Sequence, residues 1–260
     1  MDKTLVFSIN SVADKGGILR RLENVFIYVL LEIIWVFYAG FTFLILPFIA
    51  KTKLKGTLPD PPFILCATHV GNFDPLFIVR GTGRYRMRAI YQMDGPHPVI
   101  RLLFRAFWRF RVSQLPELRP SLNRRTMSEA VGHLKRGGTL MIFPEGYWAY
   151  EKKLYPGAAV MAHRANVPVV PVGIENGAVF RPGIAPQPFH RVVKRLIRDY
   201  RHCGRVTVHF VDPIYPKNRL EEGEDVDRLG RSIEASFNKF YRRFYNIDGP
   251  VWEKRVDVER

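Results

Sequence analysis

Residues 61–75 read PPFILCATHVGNFDP, and the stretch Phe63 to Thr68 within them decides the fold. It reads as a short buried strand launched by Pro61-Pro62, with polar residues gathered just beyond its end. Outward from it, short apolar runs alternate with helical patterns. Arg84 to Ile90 puts Arg84, Arg86 and Arg88 on one face and Tyr85, Met87 and Ala89 on the other, the period of a strand. Ser121 to Arg136 predicts a helix, with Leu122, Met127, Ala130 and Leu134 to one side and Gly137-Gly138 as its stop. Thr139 to Phe143 is the next strand, Tyr155 to Asn166 a second helix, and Val167 to Ile174 a further strand. Two prolines in that last run predict an edge, a bulge or an irregular strand. Arg205 to Val211 alternates cleanly, and Leu229, Ile233, Phe237, Phe240, Tyr241 and Phe244 mark one face of a long amphipathic helix. This alternation predicts an α/β fold: a mixed, largely parallel sheet flanked by helices.

The chain opens differently. Val25 to Ala50 is an almost unbroken apolar run, interrupted by Glu32 and followed by Lys51, Lys53 and Lys55. As a helix, at about 1.5 Å per residue, it could reach across a hydrocarbon core of roughly 30 Å. No small-residue cleavage site follows it, so a secretory signal fits poorly. Lys15, Arg20 and Arg21 before it balance the three lysines after it, a tie under the positive-inside rule that suits a hairpin or re-entrant segment. Glu32, Gly40 and Pro47 weaken the case for one straight span. The expectation is an N-terminal membrane-associated helical segment, residues 1–55, inserted from the cytoplasmic face, ahead of a domain at 56–260; a buried core helix is the alternative.

Composition narrows the partners. The 260 residues carry 40 Lys+Arg against 24 Asp+Glu, a formal net charge of +16. Eleven arginines fall between Arg80 and Arg125 against Asp94 and Glu117, and a second cluster spans His190 to Arg205. Such clusters suit phosphates, on an anionic membrane surface or a substrate. Nucleic acid is not expected, because no RNP, zinc-finger or helix-turn-helix pattern accompanies the charge. Two cysteines, Cys66 and Cys203, exclude a disulfide scaffold and favour a reducing compartment.

Thr68 to Pro75 is the first stretch that could carry chemistry. His69 stands where a buried strand ends, the position at which sites form in α/β proteins. Asp74 precedes Pro75 and could cap a helix. Through the turn at Gly71-Asn72 it could instead fold back on His69, fix the imidazole tautomer and raise its basicity toward a hydroxyl. Phe143-Pro144-Glu145-Gly146 follows another strand and places a carboxylate beside a flexible turn. No G-x-S-x-G elbow, P-loop, HExxH or paired CxxC occurs, and the seven histidines, at 69, 97, 133, 163, 190, 202 and 209, lack ligand spacing. No metal site is expected, and His163 and His209 read as structural residues.

Taken in order, the HX4D box at His69–Asp74, the FPEG box at 143–146, the VPVVPVGI run and the hydrophobic first segment resemble the glycerolipid O-acyltransferase family, over roughly Thr57 to Pro216. The resemblance implies an acyltransferase domain at 56–260 with His69 as general base and Asp74 as its orienting partner. The acceptor hydroxyl would attack the thioester carbonyl of acyl-CoA or acyl carrier protein, a co-substrate, with no other cofactor. Glu145 would help bind the acceptor, with Asn72, Phe143, Pro144 and Gly146 about it, and Val167 to Pro171 would shape a pocket. Tyr147 and Trp148 stand where the family usually carries a small hydroxyl residue and an arginine, and Phe110-Arg111-Val112-Ser113-Gln114 where its second box ends in arginine. Arg111 is the candidate to serve that box. The aromatic pair suits a sugar, a carotenoid-like or another lipid headgroup at least as well as a glycerol phosphate. A phospholipid–lysophospholipid transacylase and a catalytically silent lipid-binding relative are the alternatives.

Overall fold

A computed structural model describes residues 29, 32–33, 35–70, 74–84, 87–92, 109–113, 119–145, 153–176, 198 and 205–252. Nine strands occur among them: β1 (Lys51–Lys55), β2 (Ile64–Ala67), β3 (Arg88–Gln92), β4 (Arg109–Val112), β5 (Leu140–Ile142), β6 (Lys153–Leu154), β7 (Val169–Glu175), β8 (Arg205–Phe210) and β9 (Val251–Trp252). The helices are α1 (Leu46–Ile49), α2 (Asp74–Thr82), α3 (Arg119–Lys135), α4 (Gly157–Ala165) and α5 (Glu222–Tyr245).

Seven strands form one sheet in the order β1-β8-β7-β2-β5-β3-β4. Every neighbouring pair is parallel except β7–β8, so β1 and β8 run against the other five. The mixed, largely parallel sheet expected from the alternating pattern is therefore present. β2 is buried at all four positions because strands flank it on both sides and helices cover its faces. On β1 and β8, Leu54 and His209 point to opposite faces: Leu54 lies against Gly81 of α2, and His209 stacks on Phe244 of α5 at 4.6 Å. α3, α4 and α5 make up the second face's layer. α5 buries Val226, Leu229, Ile233, Phe237, Phe240 and Tyr241, the stripe its periodicity predicts.

Three boundaries differ from the sequence reading. Strand β3 starts at Arg88, not Arg84; Met87 N–H closes a turn onto the Arg84 carbonyl, and the Arg84 and Arg88 guanidiniums sit over the Phe63 and Trp35 rings. Aromatic faces thus hold two of the arginines that the alternating pattern put on one face of a strand. Second, of the edge, bulge or irregular strand that its prolines predict, β7 takes the bulge, and it is a central strand: β2 and β8 pair with it on either side. Pro171 is tolerated because its missing N–H falls where the β8 ladder is interrupted. Between the Val172↔Phe210 pair and the Val169↔Ile214 bridge, three residues face two, a bulge that the Val211 N–H bond to the Pro171 carbonyl holds in place. Third, Lys51–Lys55 is a strand of the sheet, so the boundary drawn after Lys55 falls at the end of β1.

In the first segment, residues 35–40 are helical, Phe41–Ile45 widen to a π-helix, and α1 ends at Ala50, whose N–H bonds the Leu46 carbonyl. Among the described residues no helix is long and apolar enough to cross a membrane. The segment still exposes large apolar side chains, with Phe48 at 85% and Phe37 at 74%.

Candidate active site

Two parallel neighbours build the site. β2 and β5 run side by side with Cys66 opposite Ile142, so His69 and Glu145, each three residues further on, leave the sheet at the same level. Thr68 finishes β2 as its own clamp: its N–H bonds the Val172 carbonyl at 2.9 Å, and its hydroxyl accepts from the Ile174 N–H at 3.3 Å. The chain beyond must then turn, and helix α2 begins at Asp74 with Pro75 in its first turn.

Asp74 settles between the two roles open to it. Its carboxylate is fully buried and folded back toward the strand end: Oδ2 lies 3.2 Å from His69 Nδ1 and accepts the Val70 N–H at 2.7 Å. One oxygen thus holds both the imidazole and the backbone beside it, and an ionised carboxylate there favours the tautomer with hydrogen on Nδ1. The His69 side chain keeps 22% exposure, and the Phe143 ring leans on it with centroids 4.4 Å apart. Pinned by Asp74 on one side and Phe143 on the other, the imidazole has little freedom to rotate.

Glu145 lies beneath this pair. It is 1% exposed, and its Oε2 accepts the His69 backbone N–H at 2.9 Å. Burial pushes its carboxyl up to about 8, and the nearby Asp74 charge adds to the rise; the neighbouring Tyr241 hydroxyl and the His69 amide oppose it. Glu145 Oε1 and the Tyr241 hydroxyl are both buried, side by side. Burial likewise raises the Tyr241 hydroxyl well above the ordinary tyrosine range. Cys66, on the strand below, is free and buried; burial foremost, and then the Glu145 charge, hold its thiol protonated. A neutral buried thiol is a poor nucleophile.

The structure therefore gathers His69, Asp74, Phe143 and Glu145, and it buries Pro144, whose carbonyl accepts the Tyr155 N–H at 2.8 Å. Arg111 is not gathered with them. It is on β4, three strands from β2, about 14 Å sideways at the ordinary spacing. Its carbonyl accepts the Thr126 hydroxyl. Val167, Val169, Val170 and Pro171 are buried in the core, with Pro171 opposite Cys66 in the register. Asn72, Gly146, Tyr147 and Trp148 lie outside the described residues. His163 and His209 take the structural places expected of them, His163 Nδ1 at 2.9 Å from Asp225 Oδ2 and His209 Nε2 at 2.8 Å from Glu175 Oε2. Among the described residues no cluster of His, Cys, Asp or Glu could hold a metal ion.

Sequence reasoning missed Val70 and Tyr241. Val70 contributes only a backbone N–H, which leaves no trace in a sequence. Tyr241 is one more aromatic on the buried stripe of α5, and nothing in its spacing marks it off from Phe237.

Comparison with known proteins adds the following. The family model described as Acyltransferase matches residues 50–175. Among curated proteins no sequence match is found. Among solved structures, the chain is similar to the crystal structure of the 1-acyl-sn-glycerophosphate (LPA) acyltransferase PlsC from Thermotoga maritima, with 19% identity, 90% of this chain and 86% of that one covered, and a TM-score of 0.49.

Proposed function

We propose, from the match of residues 50–175 to the Acyltransferase family model, that the chain is an acyltransferase that moves a fatty acyl group from a thioester to a hydroxyl of a (lyso)glycerolipid or related lipid. The observation that carries this reading is the pinned His69–Asp74 pair, 3.2 Å apart at the end of a central strand. In the proposed reaction Nε2 of His69 takes the proton of the acceptor hydroxyl as its oxygen attacks the thioester carbonyl carbon. The tetrahedral adduct collapses by breaking the carbon–sulfur bond, and the departing thiolate takes that proton back from the imidazolium. The products are an ester and a free thiol, and the enzyme is unchanged. Asp74, fixed by the Val70 N–H, holds the Nδ1 side of the imidazole and offsets the imidazolium charge.

Glu145 enters this scheme from below rather than across the substrate. Its Oε2 fixes the His69 backbone, so its proposed part is to position the base. The donor is acyl-CoA or acyl carrier protein, and no further cofactor is required. The protein is proposed to work on the cytoplasmic face of an anionic membrane, with its exposed apolar first segment at the bilayer surface.

The test is thiol release from long-chain acyl-CoA by the purified chain in detergent, against lysophosphatidate, other lysolipids and lipid-linked sugars. Acceptor-dependent release is expected, cut by about 1,000-fold or more in His69→Ala with its melting temperature unchanged. Asp74→Asn should lower kcat far more than it raises KM. Wild-type-like release by His69→Ala would overturn the mechanism. Silence with every donor and acceptor would overturn the assigned substrate class.

A further inference from the structure

At the far edge of the sheet a second site is open. A cavity of about 440 Å3 is lined by Pro47, Lys51, Thr52, Lys53, Arg80 and Arg205. Four of these six are cations, and among the described residues none of the four is in an ion pair. β1 is the outermost strand, so residues from both its faces border one edge: Lys51 and Lys53 from one, Thr52 from the other. Arg205 stands opposite Lys51 in the register. Arg80 joins from α2 and uses Nη1 on the carbonyls of Thr42 and Phe43, at 3.3 and 3.1 Å. That ties the π-helical end of the first segment to the cavity wall. The Thr52 hydroxyl is buried and has no hydrogen-bond partner among the described residues.

Like charges gathered without a counter-ion repel one another, and a buried hydroxyl without a partner costs free energy. A bound anion relieves both. The surroundings say which anion. Pro47 lines the cavity itself, and its neighbours Leu44, Ile45 and Phe48 are exposed at 69%, 50% and 85%. A soluble anion would fill the basic cavity and leave those side chains in water. A phospholipid satisfies both parts, with its phosphate in the cavity and its acyl chains, with those of its neighbours, over the apolar helix.

We propose that Lys51, Lys53, Arg80 and Arg205 form a binding site for the phosphate of an anionic phospholipid headgroup in the bilayer, separate from the acyl-transfer site. The cavity is larger than a bare phosphate and accommodates a phosphodiester with its glycerol. It borders the edge strand β1, three strands from β2, so a lipid held there fixes the tilt of the protein on the membrane without occupying the space above His69. The site refines the membrane attachment named above, but its test involves no thioester. A wrong assignment of the reaction therefore leaves the result readable.

The experiment is flotation of the full chain with vesicles of phosphatidylcholine, alone or mixed with phosphatidylglycerol. Wild type should prefer the mixed vesicles. The triple variant Lys51→Gln/Lys53→Gln/Arg205→Gln should lose affinity for them on the order of 100-fold, since each basic group near an anionic surface contributes a factor of about five. A control with equal charge removed elsewhere, Arg124→Gln/Lys135→Gln/Lys239→Gln, should retain most of the binding. Lys51→Arg/Lys53→Arg should bind as wild type, which separates lost charge from lost fold. Equal loss in both Gln triples would overturn the proposal in favour of diffuse surface charge. Equal binding of wild type to neutral vesicles would overturn it too. Displacement by free CoA would reassign the cavity to the donor's phosphates; displacement by inorganic phosphate alone at low concentration would reassign it to a soluble anion.

Discussion

A carboxyl group that is 1% exposed and stands next to the buried carboxylate of Asp74 is under electrostatic pressure to keep its proton, and Glu145 does so up to about 8. The unfolded chain releases that proton near 4.5, the ordinary value. Between these pH values the folded protein binds a proton that the unfolded one lacks, so the stability contributed by this group is complete below the lower value and is lost as pH rises through the upper one. Glu145→Gln keeps an oxygen that can accept the His69 N–H and removes the titration. The variant's melting temperature should therefore gain on wild type steadily between about pH 5 and pH 8, at roughly 1.4 kcal/mol per pH unit, with a constant gap beyond. Thermal scans across that range decide it, and a gap independent of pH would show that the carboxyl is ionised throughout. The residues were unequally legible at this scale. The five-residue spacing of His69 and Asp74 permits the pair but equally permits Asp74 to cap a helix, and it is the ordered set of boxes, with FPEG after HX4D, that points to it. The burial of Glu145 under the His69 amide depends on the register that sets Cys66 opposite Ile142, which no local pattern encodes.

Elements bring the buried parts of the site to one place, and α5 is seated closely on one of them. Phe240 lies flat on β7 at Gly173, where a Cβ would stand 2.4 Å from the ring, inside any real contact. The next residue, Tyr241, is the one beside the Glu145 carboxyl. Gly173→Ala must lift the helix or twist the ring from its rotamer, at a cost of about 2–3 kcal/mol. That should lower the melting temperature by roughly 5–10 °C. Adding Phe240→Leu, which clears the space, should restore part of the loss, and purely additive effects in that double-mutant cycle would mean that the two residues do not meet. The elements that sequence alone made plain are those whose patterns are strong by themselves: β2 as an apolar run, β8 as a clean alternation, α5 as a long amphipathic stripe. β1 was read as the basic flank of the first segment because its outward lysines mask a strand that exists only through its pairing with β8, about 150 residues away. For β7 the two prolines left an edge, a bulge or an irregular strand open, and only the pairing with β8, with its bulge opposite Pro171, decides among them.

Across the whole molecule, the net charge of +16 works against the compact state. Cations spread over one surface repel at a range set by salt, roughly 30 Å at about 0.01 M and 8 Å at about 0.15 M. The attractions that salt would weaken are smaller. Arg125–Glu129, Arg164–Glu222 and Arg231–Asp227 all have exposed arginines, and such surface pairs contribute at most about 1 kcal/mol each. The His163–Asp225 and His69–Asp74 pairs have wholly buried carboxylates, which salt screens far less. Relief of repulsion therefore outweighs lost attraction. In a non-ionic detergent the melting temperature should rise by about 3 °C or more as sodium chloride goes from about 0.01 M to about 0.15 M. Binding to anionic vesicles should fall over the same interval, because the cations that destabilise the free protein are the ones a negative surface attracts. The opposite signs of the two salt responses follow from a single cause, an excess of cations the fold does not neutralise. A melting temperature that stays flat or falls with salt would mean that internal ion pairs already absorb that excess and that none is left over for a membrane.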